Sequence, residues 1–355
     1  MKFRTFISAL CLLVLSGFAW ADGLELNPNH PRQYTVAPRD TLWDIANKFL
    51  ANPWQWPEIW RENPHIANPH WIYPGDELVL DYNDGGPHVQ VARRNRTEIG
   101  YAPSRPDEVK LVPTIRVESL EQAIPTIPLH VLQPFLMQTK VVSAGEMESA
   151  PYVIDFADEH IAGGTGDRVY VRGLPASRVS GYMVFRSGKP YKDAETEEIL
   201  GYEALYVADV QFQRDGDPST MLITKSNREA RIGDRILPVA YEQLQMNFIP
   251  HPAPQNLSGH IISVVDAVSQ IGQYDIVVID RGTADGIEIG HVLEILRSGQ
   301  ERIYRYATNA EETFNLPGEK EGFVMVFHPY PRVSFGLVMN ATRSIHLRDA
   351  VKSPL

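Results

Sequence analysis

The chain has 355 residues with 44 acidic against 33 basic side chains, a formal net charge of −11, and 43% of its residues are hydrophobic. An acidic balance of this size argues against nucleic acid or anionic lipid as a partner. The apolar content is ample for a core, and at about 150 residues per domain the length predicts two to three domains.

The first 21 residues read as an export signal. Lys2 and Arg4 precede an apolar run from Phe6 to Phe18, and Ala19-Trp20-Ala21 is a small-x-small cleavage site. The single cysteine, Cys11, lies inside that run, so cleavage leaves a chain without disulfides or thiol chemistry. Losing Lys2 and Arg4 leaves 31 basic residues against 44 acidic ones, a net charge of −13. No later apolar run approaches the roughly 20 residues of a membrane-spanning helix.

Every tryptophan beyond the signal falls between Tyr34 and Leu80: Trp43, Trp54, Trp56, Trp60 and Trp71. An extended run, Tyr34-Thr35-Val36, leads to Thr41, whose hydroxyl is suited to cap a first helical turn with Asp44 three residues on. Leu42, Ile45, Ala46 and Phe49 then form one apolar helical face. Pro57 marks a second helix, with Trp56, Ile59 and Trp60 as its apolar stripe, ending near Asn63 because Pro64 disfavours helix before it. Tyr73-Pro74-Gly75-Asp76 is a turn, and Glu77 to Leu80 alternate as a strand. Trp43, Trp56 and Trp60 are expected in the core of this small unit, whereas Trp54 and Trp71, beside loops, suit either the core or a sugar face.

The motifs Tyr34-Thr35-Val36, Asp40 to Ala46, and Ile72-Tyr73-Pro74-Gly75-Asp76-Glu77-Leu78 resemble the LysM family over residues 34–80. The resemblance implies a small βααβ module that binds peptidoglycan or other glycans containing N-acetylglucosamine. By position it assigns Asp40, Thr41 and Leu42 to one groove loop, and Ile72, Tyr73, Pro74, Gly75 and Asp76 to the other. Asn63 and Trp71 join the expected contact set. Where the family usually has glycine, this chain has Arg39; a positive φ there would cost a non-glycine residue roughly 1 to 2 kcal/mol. Ala51 to Trp56 make a longer, aromatic connection between the two helices.

Residues 81–112 contain Gly85-Gly86-Pro87, the cluster Arg93-Arg94-Asn95-Arg96, and several prolines, which predicts a mostly extended linker. The arginines suit either a solvated charge run or contact with anionic groups of the wall. From Val117 to Val142, proline-punctuated helical turns are expected. Beyond Pro151 the chain alternates as short strands: 152–154, 168–172, 182–186, 204–213, 221–224, 261–265, 275–279, 291–296, 322–327 and 334–339. Turns are expected at Ser187-Gly188-Lys189 and Asp215-Gly216-Asp217. A glycine-led turn and strand recur at 166–171, 233–237 and 290–295, with an echo at 348–351, and predict the corners of small barrels or compact sheets. The expected division is a β-rich domain over 113–246 and a second over 257–355. The fold class is α+β, a small βααβ module followed by β-rich C-terminal domains.

No catalytic pattern stands out. The mature chain lacks a cysteine nucleophile, and it has neither His-x-His nor His-Glu-x-x-His for zinc. Gly-x-Ser-x-Gly is absent, and neither His65 with His70 nor Asp158-Glu159-His160 gathers enough ligands for a metal. Asp280 to Gly286 departs from the calcium-loop spacing and reads as a turn. Carboxylate pairs of the glycosidase kind cannot be judged from spacing. No catalytic residue, metal or cofactor is therefore assigned.

The order of signal, single LysM module and cysteine-free β-rich tail is similar to the secretin-associated LysM proteins of Gram-negative bacteria, whose C-terminal part resembles a flagellar accessory protein. Tyr202-Glu203-Ala204, Asp280-Arg281-Gly282-Thr283 and Val338 to His346 contribute to the likeness. It implies a periplasmic, wall-associated protein that grips peptidoglycan and engages the outer-membrane secretin of a type IV pilus. The alternatives are a peptidoglycan hydrolase or a regulator that recruits one.

Overall fold

The computed structural model describes residues 24–60, 72–83, 86–93 and, with short gaps, 124–354; the gaps are 129–130, 133–134, 136–138, 158–159, 176–178, 180, 239–247, 266–269, 298–300, 304–312 and 316–317. The expected signal and Cys11, Asn63, Trp71, His65 with His70, and Arg94 to Arg96 lie outside the described residues. The chain divides into two compact units, residues 1–124 and 125–355.

In the first unit, strand β1 (Gln33–Thr35) leads to helix α1 (Leu42–Phe49), a 3-10 turn (Pro53–Gln55) and helix α2 (Trp56–Trp60). Thr41 caps α1 as expected: its Oγ accepts from the Asp44 amide, and Asp44 accepts from the Thr41 amide in return. Leu42, Ile45, Ala46 and Phe49 turn inward onto Trp56, Ile59 and Trp60. Trp43, Trp54, Trp56 and Trp60 are all buried. Strand β2 (Glu77–Asn83) pairs antiparallel with β1 on one side and β3 (Gly86–Arg93) on the other. Pairing thus continues well past Leu80, into residues expected to be linker, because Leu80 and Val89 bury their side chains in the same core. Ile124 joins that core too, its amide donating to the Ile72 carbonyl at 2.9 Å.

In the second unit residues 131–132 and 135 are helical, as expected of this proline-punctuated stretch, but its last part is strand β4 (Thr139–Val142) where helical turns were expected, followed by α3 (Ala144–Ser149). Val142 is drawn into strand pairing by the long β9 beside it, a partner invisible in the local sequence. There follow β5 (Tyr152–Phe156), β6 (Ala162–Gly163), β7 (Arg168–Arg172), β8 (Tyr182–Lys192), β9 (Ile199–Arg214), β10 (Ser219–Ser226), β11 (Ala230–Arg231) and β12 (Arg235–Pro238). Strands β5, β7, β10, β9, β8 and β12 pair in a ring, with β12 returning to β5. Val153, Val169, Val171, Val184, Val210, Met221 and Ile223 fill this barrel.

The second barrel is built from β14 (Ser258–Val265), β15 (Ile276–Ile279), β16 (His291–Leu296), β19 (Lys320–Pro329), β20 (Ser334–Ala341) and β21 (Ala350–Lys352), with β13 (His251–Pro252) beside β16 and the hairpin β17 (Glu301–Ile303) and β18 (Thr313–Asn315) apart from it. Its ring runs β14, β15, β20, β19, β16, β21 and back to β14. If the six strands of each barrel are numbered in chain order, both rings read 1-2-5-4-3-6. The tail is therefore one barrel topology used twice, and full closure removes the edges that short strands would otherwise expose.

One expected turn is a bulge instead. The β8 strand passes through Ser187-Gly188-Lys189 with a register shift against β9, and the reversal comes at Asp193 to Glu198. A side chain at Gly188 would meet Glu203 across the pair.

The recurrent turn-and-strand theme has a single geometry. At Asp167, Asp234, Asp275 and Asp349 the carboxylate accepts from the amide three residues earlier, while the residue just before the aspartate has positive φ. His291 takes the aspartate's place in the same turn, its Nδ1 accepting from the Glu288 amide at 3.0 Å.

Within the second unit, the β8–β9 hairpin tip of the first barrel meets the second barrel through ion pairs. Asp193 lies 3.3 Å from Arg281, Glu198 takes both Nη atoms of Arg332 at 2.8 and 2.9 Å, and Glu197 accepts from Arg348 at 2.7 Å. Tyr191 sets its ring edge-on to Phe335.

Candidate functional site

The two loops expected to form a groove are twin turns. Ala37-Pro38-Arg39-Asp40 and Tyr73-Pro74-Gly75-Asp76 each carry proline second, a positive-φ residue third and aspartate fourth. Proline presets φ at the second position of such a turn, and the third position favours glycine. Arg39 adopts φ 76 and Gly75 φ 91. Asp40 Oδ2 accepts from the Ala37 amide at 2.8 Å, and Asp76 Oδ2 from the Tyr73 amide at 3.1 Å.

Two backbone hydrogen bonds fix the turns side by side. The Val36 amide donates to the Asp76 carbonyl at 2.9 Å, and the Gly75 amide donates to the Val36 carbonyl at 2.8 Å. Tyr34 reinforces the first turn by donating from its hydroxyl to Asp40 at 2.8 Å. Burial first, and then the neighbouring Asp40 carboxylate, push the Tyr34 phenol up to about 12. Its proton is thus retained throughout the physiological range.

The residues assigned to the groove divide by burial. Thr41, Leu42, Ile72 and Asp76 are buried: Thr41 caps α1, Leu42 and Ile72 belong to the core, and Asp76 anchors its turn. Asp40, Tyr73, Pro74 and Gly75 are partly exposed, and Pro38 and Arg39 fully so. Asn63 and Trp71 lie outside the described residues. The exposed parts of the two turns therefore include a tyrosine ring, two prolines, the Arg39 guanidinium, the Asp40 carboxylate and turn backbone. The aromatic and proline faces with turn amides suit a ring-faced ligand that carries amide groups. Pro38 and Arg39 were not assigned from sequence, although the repeated Pro-x-Asp spacing at 38–40 and 74–76 marks them.

A second cluster lies in the tail. Ligand-capable atoms of Glu321, His346 and Asp349 come within 4.8 Å of one another. Glu321, fully buried, is paired to Arg297 Nε at 3.0 Å, and Asp349 Oδ2 already accepts from the His346 amide. Burial, followed by the nearby Asp349, raises the Glu321 pKa. Asp349 thus serves the turn at 346–349, and Glu321 is balanced by the Arg297 charge.

Comparison with known proteins bears on the first unit. Residues 34–81 match the LysM domain family. The chain is also similar to an uncharacterized protein, YqbP, of Bacillus subtilis (strain 168), at 41% identity over 60 residues, which is 14% of this chain and 27% of that relative. The chain thus spans little more than a quarter of the relative it matches. LysM is a binding domain for cell-wall carbohydrate and not a catalytic one, which agrees with an envelope location.

Proposed function

We propose, from the LysM domain at residues 34–81, that this chain is a non-catalytic anchor of the bacterial envelope. It is exported by its N-terminal signal, holds peptidoglycan at the surface between the turns 37–40 and 73–76, and engages an outer-membrane secretin of a type IV pilus through the twin barrels. The observation that carries this reading is the pair of Pro-x-Asp turns held side by side by Val36, Gly75 and Asp76. They leave Tyr73, Pro74 and Gly75 accessible against Arg39 and Asp40.

A single shallow site binds weakly, and many copies around a secretin ring would gain through effective concentration. The test mixes the purified mature chain with intact sacculi and separates bound from free protein by sedimentation. The chain is expected in the pellet, Tyr73→Ala is expected to remain largely in solution, and no soluble muropeptides should appear. Release of muropeptides would replace the anchor with a hydrolase. Co-purification from detergent-solubilised envelopes tests the tail, and recovery of a hydrolase in place of a secretin would overturn that half.

A further inference from the structure

The first barrel carries an open cleft of about 470 Å³ whose floor and rim come from α3, β8 and the turn joining β11 to β12. In an otherwise acidic chain, this cleft holds Arg186, Arg231 and Arg235 against Glu148 and Asp234. Its size is that of a site for a small molecule or a few residues of peptide.

Two of the guanidinium groups are fixed in place. Arg186 donates through Nε and Nη2 to the two oxygens of buried Asp234, both at 2.8 Å, and through Nη2 to the Glu229 carbonyl at 2.9 Å. Arg235 donates to the Ala150 carbonyl at 3.2 Å and lies over the Tyr152 ring. Arg231 has its amide held by Asp234, yet its exposed guanidinium has no carboxylate partner among the described residues. The Glu148 carboxylate, also exposed, has no cationic partner among them either. Beside these charges stands Ile232, 60% exposed at the tip of its turn.

With Arg186 matched by Asp234, the cleft presents one held guanidinium (Arg235), one exposed guanidinium (Arg231), the Glu148 carboxylate and an aliphatic lip. We propose that it binds the peptide stems of the cell wall: short peptides with small aliphatic side chains, several carboxylates and one amine. Carboxylates would meet Arg231 and Arg235, the diamino-acid ammonium would meet Glu148, and alanine methyls would pack on Ile232. Arginine favours such contacts because its planar fork matches a carboxylate in two places. This inference rests on the wall-binding reading and adds a second contact, to peptide, on a different unit from the glycan contact.

The test is calorimetric titration of the whole mature chain with two probes. One is the sugar-free tetrapeptide N-acetyl-L-Ala-γ-D-Glu-meso-diaminopimelyl-D-Ala, whose acetyl group keeps the first nitrogen an amide as in the wall, and the other is a chitotetraose free of peptide. The tetrapeptide is expected to bind, Arg231→Glu to weaken it at least tenfold with Arg231→Gln intermediate, and both variants to bind chitotetraose as the parent chain does. Conversely, Tyr73→Ala should weaken chitotetraose alone. Absence of tetrapeptide binding, or equal binding by Arg231→Glu, overturns the cleft. Tetrapeptide binding without chitotetraose binding leaves the cleft standing and overturns the glycan surface instead.

Discussion

Arg39 and His291 show how single residues depart from a shared turn and at what cost. Arg39 holds φ 76 where Gly75 holds the equivalent place in the twin turn. Replacing Arg39 by glycine should stabilise the first unit by about 1 kcal/mol, since the left-handed region penalises a residue with a Cβ by that order. Every tryptophan of the chain lies in the first 124 residues, so denaturant unfolding followed by tryptophan fluorescence reads that unit selectively. His291 is the one histidine in a turn otherwise built with aspartate among the described residues. Burial, then the His251 ring 4.5 Å away, lowers its pKa, while Glu288 opposes the shift. The folded state therefore binds fewer protons than the unfolded one. The stability from neutral His291 is complete above about pH 6.5 and falls as the pH drops through that value toward the lowered pKa. His291→Asn, which keeps an acceptor for the Glu288 amide, should flatten the decline in melting temperature between about pH 7 and pH 5.5.

At the level of elements, caps and turns explain why these segments begin where they do. Thr41→Ala removes the hydroxyl half of the α1 capping box, the acceptor for the Asp44 amide, while the residue-41 amide keeps its bond to Asp44, and should cost the first unit about 1 kcal/mol, measured by the same fluorescence titration. The cap was legible because Thr and Asp at this spacing satisfy two amides that a helix start leaves unpaired. In the first barrel, Asp234 holds Arg186 and the turn before β12 together. Asp234→Ala should lower the stability of that barrel by roughly 3 kcal/mol, because it strands a partly buried guanidinium and frees the closing turn. Circular dichroism of thermal unfolding would register the loss. Most strands of the tail were legible from alternation, yet β4 and the β8 bulge were not. Both depend on residues 202–205 in the first half of β9, which local sequence does not reveal.

Across the whole second unit, the joint between barrels carries ion pairs beside the Tyr191–Phe335 contact and should respond to salt and acid. Glu197→Lys together with Glu198→Lys sets like charges against Arg348 and Arg332. Calorimetry should then resolve separate transitions for the two barrels, and molar salt should move the parent chain in the same direction. Asp193 adds an acid limit. Hydrogen bonding from the Thr196 amide leads the causes that hold its carboxyl down to about 2, with Arg281 contributing. The folded state favours the ionised form, so this contribution is complete above the usual carboxylate pKa of about 4 and disappears as the pH falls toward 2. A joint that persists unchanged at about pH 2 would contradict this assignment.

The sequence alone determined the LysM segment, its capped first helix, the burial of Trp43, Trp56 and Trp60 and most of the strand positions, while the burial of Trp54 was decided by the structure. These follow from spacing within a few residues, where helix period, strand alternation and turn chemistry act. Only the tertiary structure decided that the tail is a twice-used six-strand ring, that Thr41, Leu42, Ile72 and Asp76 point inward, and that arginines from separate strands meet in one cleft. Ring closure joins β5 to β12 and β14 to β21, strands far apart in the chain, and such pairings are set by packing and closure rather than by any local pattern.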